Sequence, residues 1–174
     1  MKTVFDLYQS TANNRARFLL GKRGRNTLMV VGLNPSVATA ERSDLTASKV
    51  ETIARSAGYD GFVIVNLYCQ RSTDPNGLHK RCRHQYAEQN LSAIEQAIVR
   101  LNIDTLWAAW GTGIECRPYL RSSAAALHTV SRKSACRWVH YGALTTKGHP
   151  RHPSRVAYGL EFFGFDPGEY LLGV

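Results

Sequence analysis

The amino-acid sequence predicts a three-layer α/β/α sandwich on a mainly parallel sheet of about four strands. Short apolar runs alternate along the chain with segments whose apolar residues recur at helical spacing. Strands that are joined by helices pair in parallel through right-handed crossovers. The chain has 174 residues, of which 44% are hydrophobic, and this composition suits one globular domain over residues 1–174.

The predicted strands are apolar runs that end in Asn, Gly or turn residues. Each is short and rich in aliphatic or aromatic residues, which is typical of strands buried on both faces of a sheet. The four runs are TLMVVGL (27–33), GFVIVNLY (61–68), DTLWAAW (104–110) and CRWVHYG (136–142).

The predicted helices lie between and after these strands. Residues 45–58 carry apolar residues near helical spacing and stop at Gly58, with Ser43 or Asp44 as the N-terminal cap. The other predicted helices are residues 84–102, residues 114–128 and a short helix near residues 154–163.

The charge of the chain favours a polyanionic partner. Lys and Arg number 22 against 13 Asp and Glu, which gives a net charge of +9 and a pI near 9.7. A pI above about 9 is a reason to expect nucleic-acid binding, although a solvated basic face without a partner is the alternative. The basic segments are GKRGR (21–25), RKSACR (132–137) and KGHPRHPSR (147–155).

The sequence gives no indication of a membrane, metal or cofactor site. No apolar run approaches the roughly 20 residues of a membrane span, and the polar start MKTVFDLYQS is unlike a signal peptide. We therefore expect a cytoplasmic protein. The four cysteines form no C-x-x-C pair, and the cations within HKRCRH (79–84) disfavour zinc there. We expect no metal, no cofactor and a monomer.

Polar side chains follow the predicted strands at the point where each strand ends. Ligands of open parallel sheets bind beyond the carboxyl ends of the strands, so the segments there should share one crevice. These segments are Asn34–Ser36, Asn66–Tyr68, Trp110–Thr112 and His149–Arg155. Two His-Pro pairs stiffen the last one, because proline fixes its own φ and restrains the residue before it.

The chemistry available to such a crevice is that of neutral amides and imidazoles inside a basic rim. The Asn66 amide ends an apolar run and needs a partner, since an unpaired buried amide costs about 1–3 kcal/mol. Backbone is the usual partner and a ligand is the alternative. The chain has no Gly-rich phosphate loop, no G-x-S-x-G motif and no carboxylate pair at the strand ends. The remaining groups can read a base edge, hold water and stabilise an anionic leaving group.

The ordered motifs resemble those of the uracil-DNA glycosylase superfamily. The matching segments are GLNPS (32–36) for its Gly-x-(Asp or Asn)-Pro motif, VIVNL (63–67) for its base-reading Asn, LWAAWG (106–111) for its Trp-Gly strand end and HPS (152–154) for its His-Pro-Ser loop. The chain also resembles a family that is catalogued only as a domain of unknown function, by its NPS, VNL and GHPRHP segments. The resemblance implies a glycosylase-like domain that flips a base out of DNA and hydrolyses its N-glycosidic bond.

The resemblance also implies a role for each candidate residue. Asn34 would position the attacking water, Asn66 would read the flipped base, and His152 would donate a hydrogen bond to the leaving base, with His149 in reserve. The other candidates are Tyr68, Phe62, Pro35 and Ser36 around the base, Asp44 and Asp74 as auxiliary carboxylates, and Lys22, Arg23, Arg25, Arg132, Lys133, Lys147, Arg151, Ser154 and Arg155 as DNA-binding residues.

Three departures from the superfamily bear on the substrate. Asn34 stands where the fastest uracil-removing enzymes have Asp, which implies slower chemistry or another substrate. Ser36 stands where they have an aromatic residue that excludes larger bases, so we expect a modified pyrimidine, in repair or in defence against phage DNA. Arg155 and Val156 stand where they have a Pro and a Leu that wedges into the duplex, and Arg155 would be an unusual wedge. The alternatives are a hydrolase of free nucleosides or nucleotides and a non-catalytic nucleic-acid binder.

Overall fold

The computed structural model describes residues 4–173, which form a seven-stranded mixed sheet. The strands are β1 (Leu7–Ser10), β2 (Arg17–Lys22), β3 (Thr27–Gly32), β4 (Gly61–Asn66), β5 (Thr105–Ala108), β6 (Arg137–Tyr141) and β7 (Phe162–Gly164). Their order across the sheet is β1-β2-β4-β3-β5-β6-β7. Strands β4, β3, β5 and β6 run parallel, whereas β1, β2 and β7 pair antiparallel at the two edges.

The predicted fold class, a three-layer α/β/α sandwich on about four mainly parallel strands, is wrong. The four predicted strands form only the centre of the sheet, and three further strands extend it at both sides. The outermost strands are short, with four residues in β1 and three in β7, and both are partly exposed. Antiparallel edge strands need only one buried face, so they lack the continuous apolar runs by which the central strands were identified.

Four α-helices of the described chain pack on the two faces of the sheet. They are α1 (Leu45–Ser56), α2 (His84–Arg100), α3 (Pro118–Lys133) and α4 (Pro167–Gly173). Buried residues of α1 pack on one face, and those of the other three helices pack on the opposite face. None of the helices within residues 4–173 is both long enough and apolar enough to cross a bilayer.

The C-terminal part differs most from the predicted elements. The helix predicted near 154–163 is wrong, because Pro153–Arg155 make a single turn of 3₁₀ helix and the chain then continues into β7. The sequence did not lead us to expect α4. Its start nevertheless carries a recognisable cap, since the Asp166 carboxylate accepts hydrogen bonds from the backbone N–H groups of Gly168 (2.7 Å) and Glu169 (3.1 Å).

The ends of β3 and β4 bring two of the predicted polar segments together. Every residue of these two strands is buried, which explains their continuous apolar runs. Their parallel register places Gly32 opposite Asn66, so the loops that follow leave the sheet at the same edge. Helix α1 begins near this edge, where the Asp44 carboxylate accepts a hydrogen bond from the Ala47 backbone N–H (2.8 Å).

Candidate active site

A cavity of about 670 Å³ opens at the carboxyl edge of the parallel strands, on the face covered by α1. Its volume lies in the range of small-molecule sites. Residues of all four segments that were predicted to share one crevice contribute to its wall. The predicted candidates that line it are Asn34, Ser36, Asp44, Asn66, Arg151, His152, Ser154 and Arg155. The structure therefore brings together one amide from each of the first two motifs and one imidazole from the last.

The orientation of the Asn34 amide is fixed by two backbone carbonyl groups. Its Nδ2 donates hydrogen bonds to the carbonyl oxygens of Ser72 (2.8 Å) and Pro35 (3.1 Å). Because only the NH₂ group can donate, the amide cannot be reversed without losing both bonds. Asn34 is partly exposed and lines the cavity, so its carbonyl oxygen Oδ1 remains as an acceptor for water or a ligand.

The Asn66 side chain is almost fully buried, at 2% exposure, and its Nδ2 has no hydrogen-bond partner among residues 4–173. Its backbone carbonyl accepts a hydrogen bond from Asn90 Nδ2 (2.8 Å), which secures the end of β4. Gly32 leaves the space for this side chain, because a Cβ atom there would lie 2.8 Å from Asn66 Oδ1. An unpaired buried donor costs about 1–3 kcal/mol, and a ligand in the cavity offers it a partner.

The hydrogen bonds of His152 define its tautomer. Its Nδ1 accepts a hydrogen bond from the Ser154 backbone N–H (3.2 Å) and lies 2.8 Å from Ser154 Oγ. A neutral ring that accepts at Nδ1 carries its proton at Nε2. Burial lowers the pKa of His152, and Arg155 lowers it further, against an opposing effect of Asp44. His152 is therefore a neutral imidazole at pH 7, with one N–H to donate.

The loop that carries His152 lies directly on the end of β5. Gly111 follows this strand with φ +68° and donates its backbone N–H to the carbonyl of Pro150 (3.0 Å). A Cβ atom at Gly111 would lie 3.3 Å from the Cβ of His152. Both the left-handed backbone and the close approach therefore favour glycine at this position.

His149, the reserve candidate, is a fully buried residue that does not line the cavity. Its Nδ1 lies 2.8 Å from Tyr170 Oη, which also accepts a hydrogen bond from Trp110 Nε1 (3.2 Å). Its Nε2 lies 3.2 Å from the Glu115 carboxylate, which is also paired with Lys147 (3.1 Å). Both ring nitrogens are thus occupied, so His149 anchors the His-Pro loop and does not reach a substrate.

Two of the three predicted DNA-binding segments lie at the end of the parallel strands opposite to the cavity. Lys22 ends β2 beside Phe62, near the start of β4, and it pairs with Glu51 at 2.7 Å. Arg23 and Arg25 follow it in the connection to β3, and Arg132 and Lys133 end α3 just before β6. The amino ends of the parallel strands lie there, so these residues do not surround the cavity. Lys147 is paired with Glu115 and does not line it either.

Four further candidates do not line the cavity. Tyr68 and Phe62, the proposed stacking residues, are fully buried in the two cores on opposite faces of the sheet. Pro35 is buried and acts through its carbonyl, which accepts hydrogen bonds from Asn34 Nδ2 and from the Ser72 backbone N–H. Asp74 is exposed and caps the 3₁₀ turn Pro75–Gly77.

Sequence reasoning missed Arg17, a 4% exposed guanidinium in the cavity wall. It is the first residue of β2, and the strand itself was not predicted. The available signal was a cation at the start of the apolar run RFLL, between residues 17 and 20.

Comparison with known proteins gives a family and no activity. A search of the curated proteins finds none that matches this chain. Residues 17–154, most of the chain, match the family described as "Protein of unknown function (DUF1643)". The matched range begins at Arg17 and ends just after His152, and it includes Asn34 and Asn66. The chain therefore belongs to the DUF1643 family.

Proposed function

We propose that the protein is a DNA glycosylase that flips a modified pyrimidine out of DNA and hydrolyses its N-glycosidic bond, leaving an abasic site. The observation that supports this proposal is that Asn34, Asn66 and His152 line one cavity although they come from distant parts of the chain. Their chemistry suits a reaction whose leaving group is an anionic heterocycle. Their order along the chain resembles that of the uracil-DNA glycosylase superfamily.

In the proposed reaction, water adds to C1′ of the deoxyribose while the C1′–N bond breaks with oxocarbenium character. The base leaves with both electrons of that bond, and His152 Nε2–H would donate a hydrogen bond to its carbonyl oxygen. Asn34 Oδ1 would hold the attacking water. Asp44, the one carboxylate among the cavity-lining residues, would accept the proton that this water releases, and solvent would protonate the base anion.

A second candidate function is the hydrolysis of free nucleosides or nucleotides in the same cavity. The position of the basic residues favours this second function, because the segments 21–25 and 132–137 lie at the amino ends of the parallel strands, away from the cavity. Near the cavity the cationic lining residues are Arg17, Arg151 and Arg155. This is a smaller basic surface than the sequence led us to expect for a protein that follows a DNA backbone.

The two functions differ in the substrate from which a base is released. We expect the protein to release a modified pyrimidine from oligonucleotides and to leave the matching free nucleoside intact. Released bases are measured by mass spectrometry, and abasic sites by strand cleavage in alkali, over a panel of modified bases. Release from the free nucleoside at a similar rate would favour the second function. Binding without release from any base would contradict both functions and favour a non-catalytic binder.

Leu45 is a candidate for the residue that fills the gap left by a flipped base. It is 72% exposed at the start of α1 and lies between Asp44 and Thr46, which both line the cavity. By resemblance the wedging Leu corresponds to Val156, which is 5% exposed and packs in the core beneath α1. Arg155 before it is a cation whose burial within a base stack would require desolvation. An exposed apolar residue next to two cavity-lining residues suits this role better.

We expect Leu45→Ala to lower base release from duplex DNA by about tenfold or more, since unstacking a base costs a few kcal/mol. Release from single-stranded DNA should change little, because no stack has to be opened. Leu172→Ala is the matched control, since Leu172 is 91% exposed on α4 and does not line the cavity. Equal losses on both DNA forms would show that Leu45 acts on the cavity and not on the duplex.

A further inference from the structure

The guanidinium of Arg17 is buried in the cavity wall, and no carboxylate of the described residues forms an ion pair with it. Within residues 4–173, Nη1 donates a hydrogen bond to the Ala38 carbonyl (3.1 Å), and the Nε–H has no hydrogen-bond partner. Asp44 interacts with it electrostatically, but no ion pair joins the two among the described residues. A buried charge is normally paired, so the Arg17 guanidinium has room for an anionic partner in the cavity.

The local fold does not require this charge. Arg71 Nη1 also donates to the Ala38 carbonyl (3.0 Å), and Arg71 makes further bonds to Tyr8 Oη (2.8 Å) and Asn14 Oδ1 (3.1 Å). The loop that contains Ala38 would therefore keep a donor if Arg17 were absent. Arg71 also repels Arg17, and burial together with this repulsion lowers the pKa of Arg17 to about 10. Burial of the charge and repulsion by Arg71 both lower the stability of the folded state. A charge that costs stability and supports no local structure is better explained by a role in ligand binding.

We propose that Arg17 binds an anionic oxygen group of the substrate, either a carboxylate on the flipped base or the phosphate of the flipped nucleotide. The inference rests on the proposed function and names the substrate class of the same site. A planar guanidinium matches the two oxygens of a carboxylate or phosphate. The charged residues that line the cavity are three arginines, Arg17, Arg151 and Arg155, against the single carboxylate of Asp44. The cavity wall is thus net cationic and suits an anion.

Two substitutions separate binding from structural support. Arg17→Met removes the cavity guanidinium and leaves Ala38 bonded to Arg71, so we expect the melting temperature to stay the same or rise, because an unpaired buried cation is lost. Arg71→Met is the matched control, since Arg71 contacts the same carbonyl but does not line the cavity. It should lower the melting temperature and leave anion recognition intact.

The test is equilibrium binding of short fluorescent single-stranded oligonucleotides. One pair carries 5-carboxycytosine or its neutral carboxamide at one position, and a second pair carries cytosine flanked by normal phosphates or by neutral methylphosphonates. We expect the wild-type protein and the Arg71→Met variant to prefer the charged member of one pair by about 10- to 100-fold, as for hydrogen bonds to charged groups. The Arg17→Met variant should lose that preference.

The pair that shows the preference identifies the source of the anion, namely the base substituent or the backbone. A wild-type protein with no preference in either pair, or a preference that Arg17→Met retains, would overturn the proposal. Base release measured on the same oligonucleotides reports on the proposed function separately. A preference for the charged oligonucleotide without base release would support the role of Arg17 and contradict the glycosylase. Base release without that preference would support the glycosylase and contradict the role of Arg17.

Discussion

His152→Ala is expected to lower the rate of base release by about 10²- to 10³-fold, the usual effect of removing one donor from a developing oxyanion. Binding of the oligonucleotide should change little, because His152 would interact with the base mainly when negative charge develops on it. The prediction is checked by single-turnover base release together with equilibrium binding. The structural reason is the neutral ring, whose Nδ1 is held by Ser154 and whose Nε2–H is left for the substrate.

The pH dependence of the same step follows from the direction of the pKa shift. Burial holds the pKa of His152 below its ordinary value of 6.5. Base release should therefore be constant around pH 7 and fall as the pH drops below about 6.5, where the ring begins to take up a second proton. That proton would sit on Nδ1 and oppose the Ser154 backbone N–H. Since the unfolded chain binds the proton more readily, acid should also lower the stability.

A matched histidine substitution separates this role from general damage. His84→Ala removes an exposed imidazole from the start of α2, outside the cavity, and should leave base release unchanged. A His152→Ala variant that folds normally and releases bases at the wild-type rate would remove His152 from the mechanism. A joint loss of binding, release and thermal stability would instead identify His152 as a structural residue of the loop.

The centre of the sheet was predictable and its edges were not. Strands β3 and β4 are buried on both faces, so each is an uninterrupted apolar run between turn residues. Strand β2 is also buried, but its sequence RFLLGK begins and ends with cations, which made its apolar part too short to identify. Strands β1 and β7 have only four and three residues and are partly exposed, so neither carries an apolar run by which it could be identified.

The candidate site was predictable where backbone topology decides the position of a residue. Asn34 and Asn66 directly follow adjacent parallel strands, so their proximity follows from the register alone. The two histidines of the His-Pro loop could not be distinguished in this way, because both precede a proline. Tertiary contacts distinguish them. The ring nitrogens of His149 are bonded to Tyr170 and Glu115, whereas His152 lines the cavity.

Long-range partners also explain why several of the predicted DNA-binding residues lie away from the cavity. Sequence shows that GKRGR is a cationic turn, but the direction of β2 decides at which edge of the sheet this turn lies. Because β2 runs antiparallel to β4, the last residues of β2 lie beside the first residues of β4, at the amino ends of the parallel strands. Arg132 and Lys133 lie in the last turn of α3, which leads into the start of β6. They therefore also lie at the amino ends of the parallel strands.

Asn34→Asp is expected to lower both stability and base release, although the fastest members of the resembled superfamily have Asp at this position. The carboxyl group would place an oxygen where Nδ2 now donates to the carbonyls of Ser72 (2.8 Å) and Pro35 (3.1 Å). Each unsatisfied acceptor costs about 1–3 kcal/mol. We expect a loss of that size in the free energy of unfolding. Asn34→Ala should likewise abolish base release, since Oδ1 would no longer hold the water.

The pH dependence distinguishes this cause from simple loss of packing. A protonated carboxyl group can donate to one of the two carbonyls, whereas the ionised form is repelled by both. The folded state therefore favours the protonated form, and the stability lost by Asn34→Asp should grow as the pH rises from about 4 to 7. Chemical denaturation at several pH values measures this directly. An Asn34→Asp variant that is as stable as the wild type and releases bases faster would show that the amide is not held by these carbonyls.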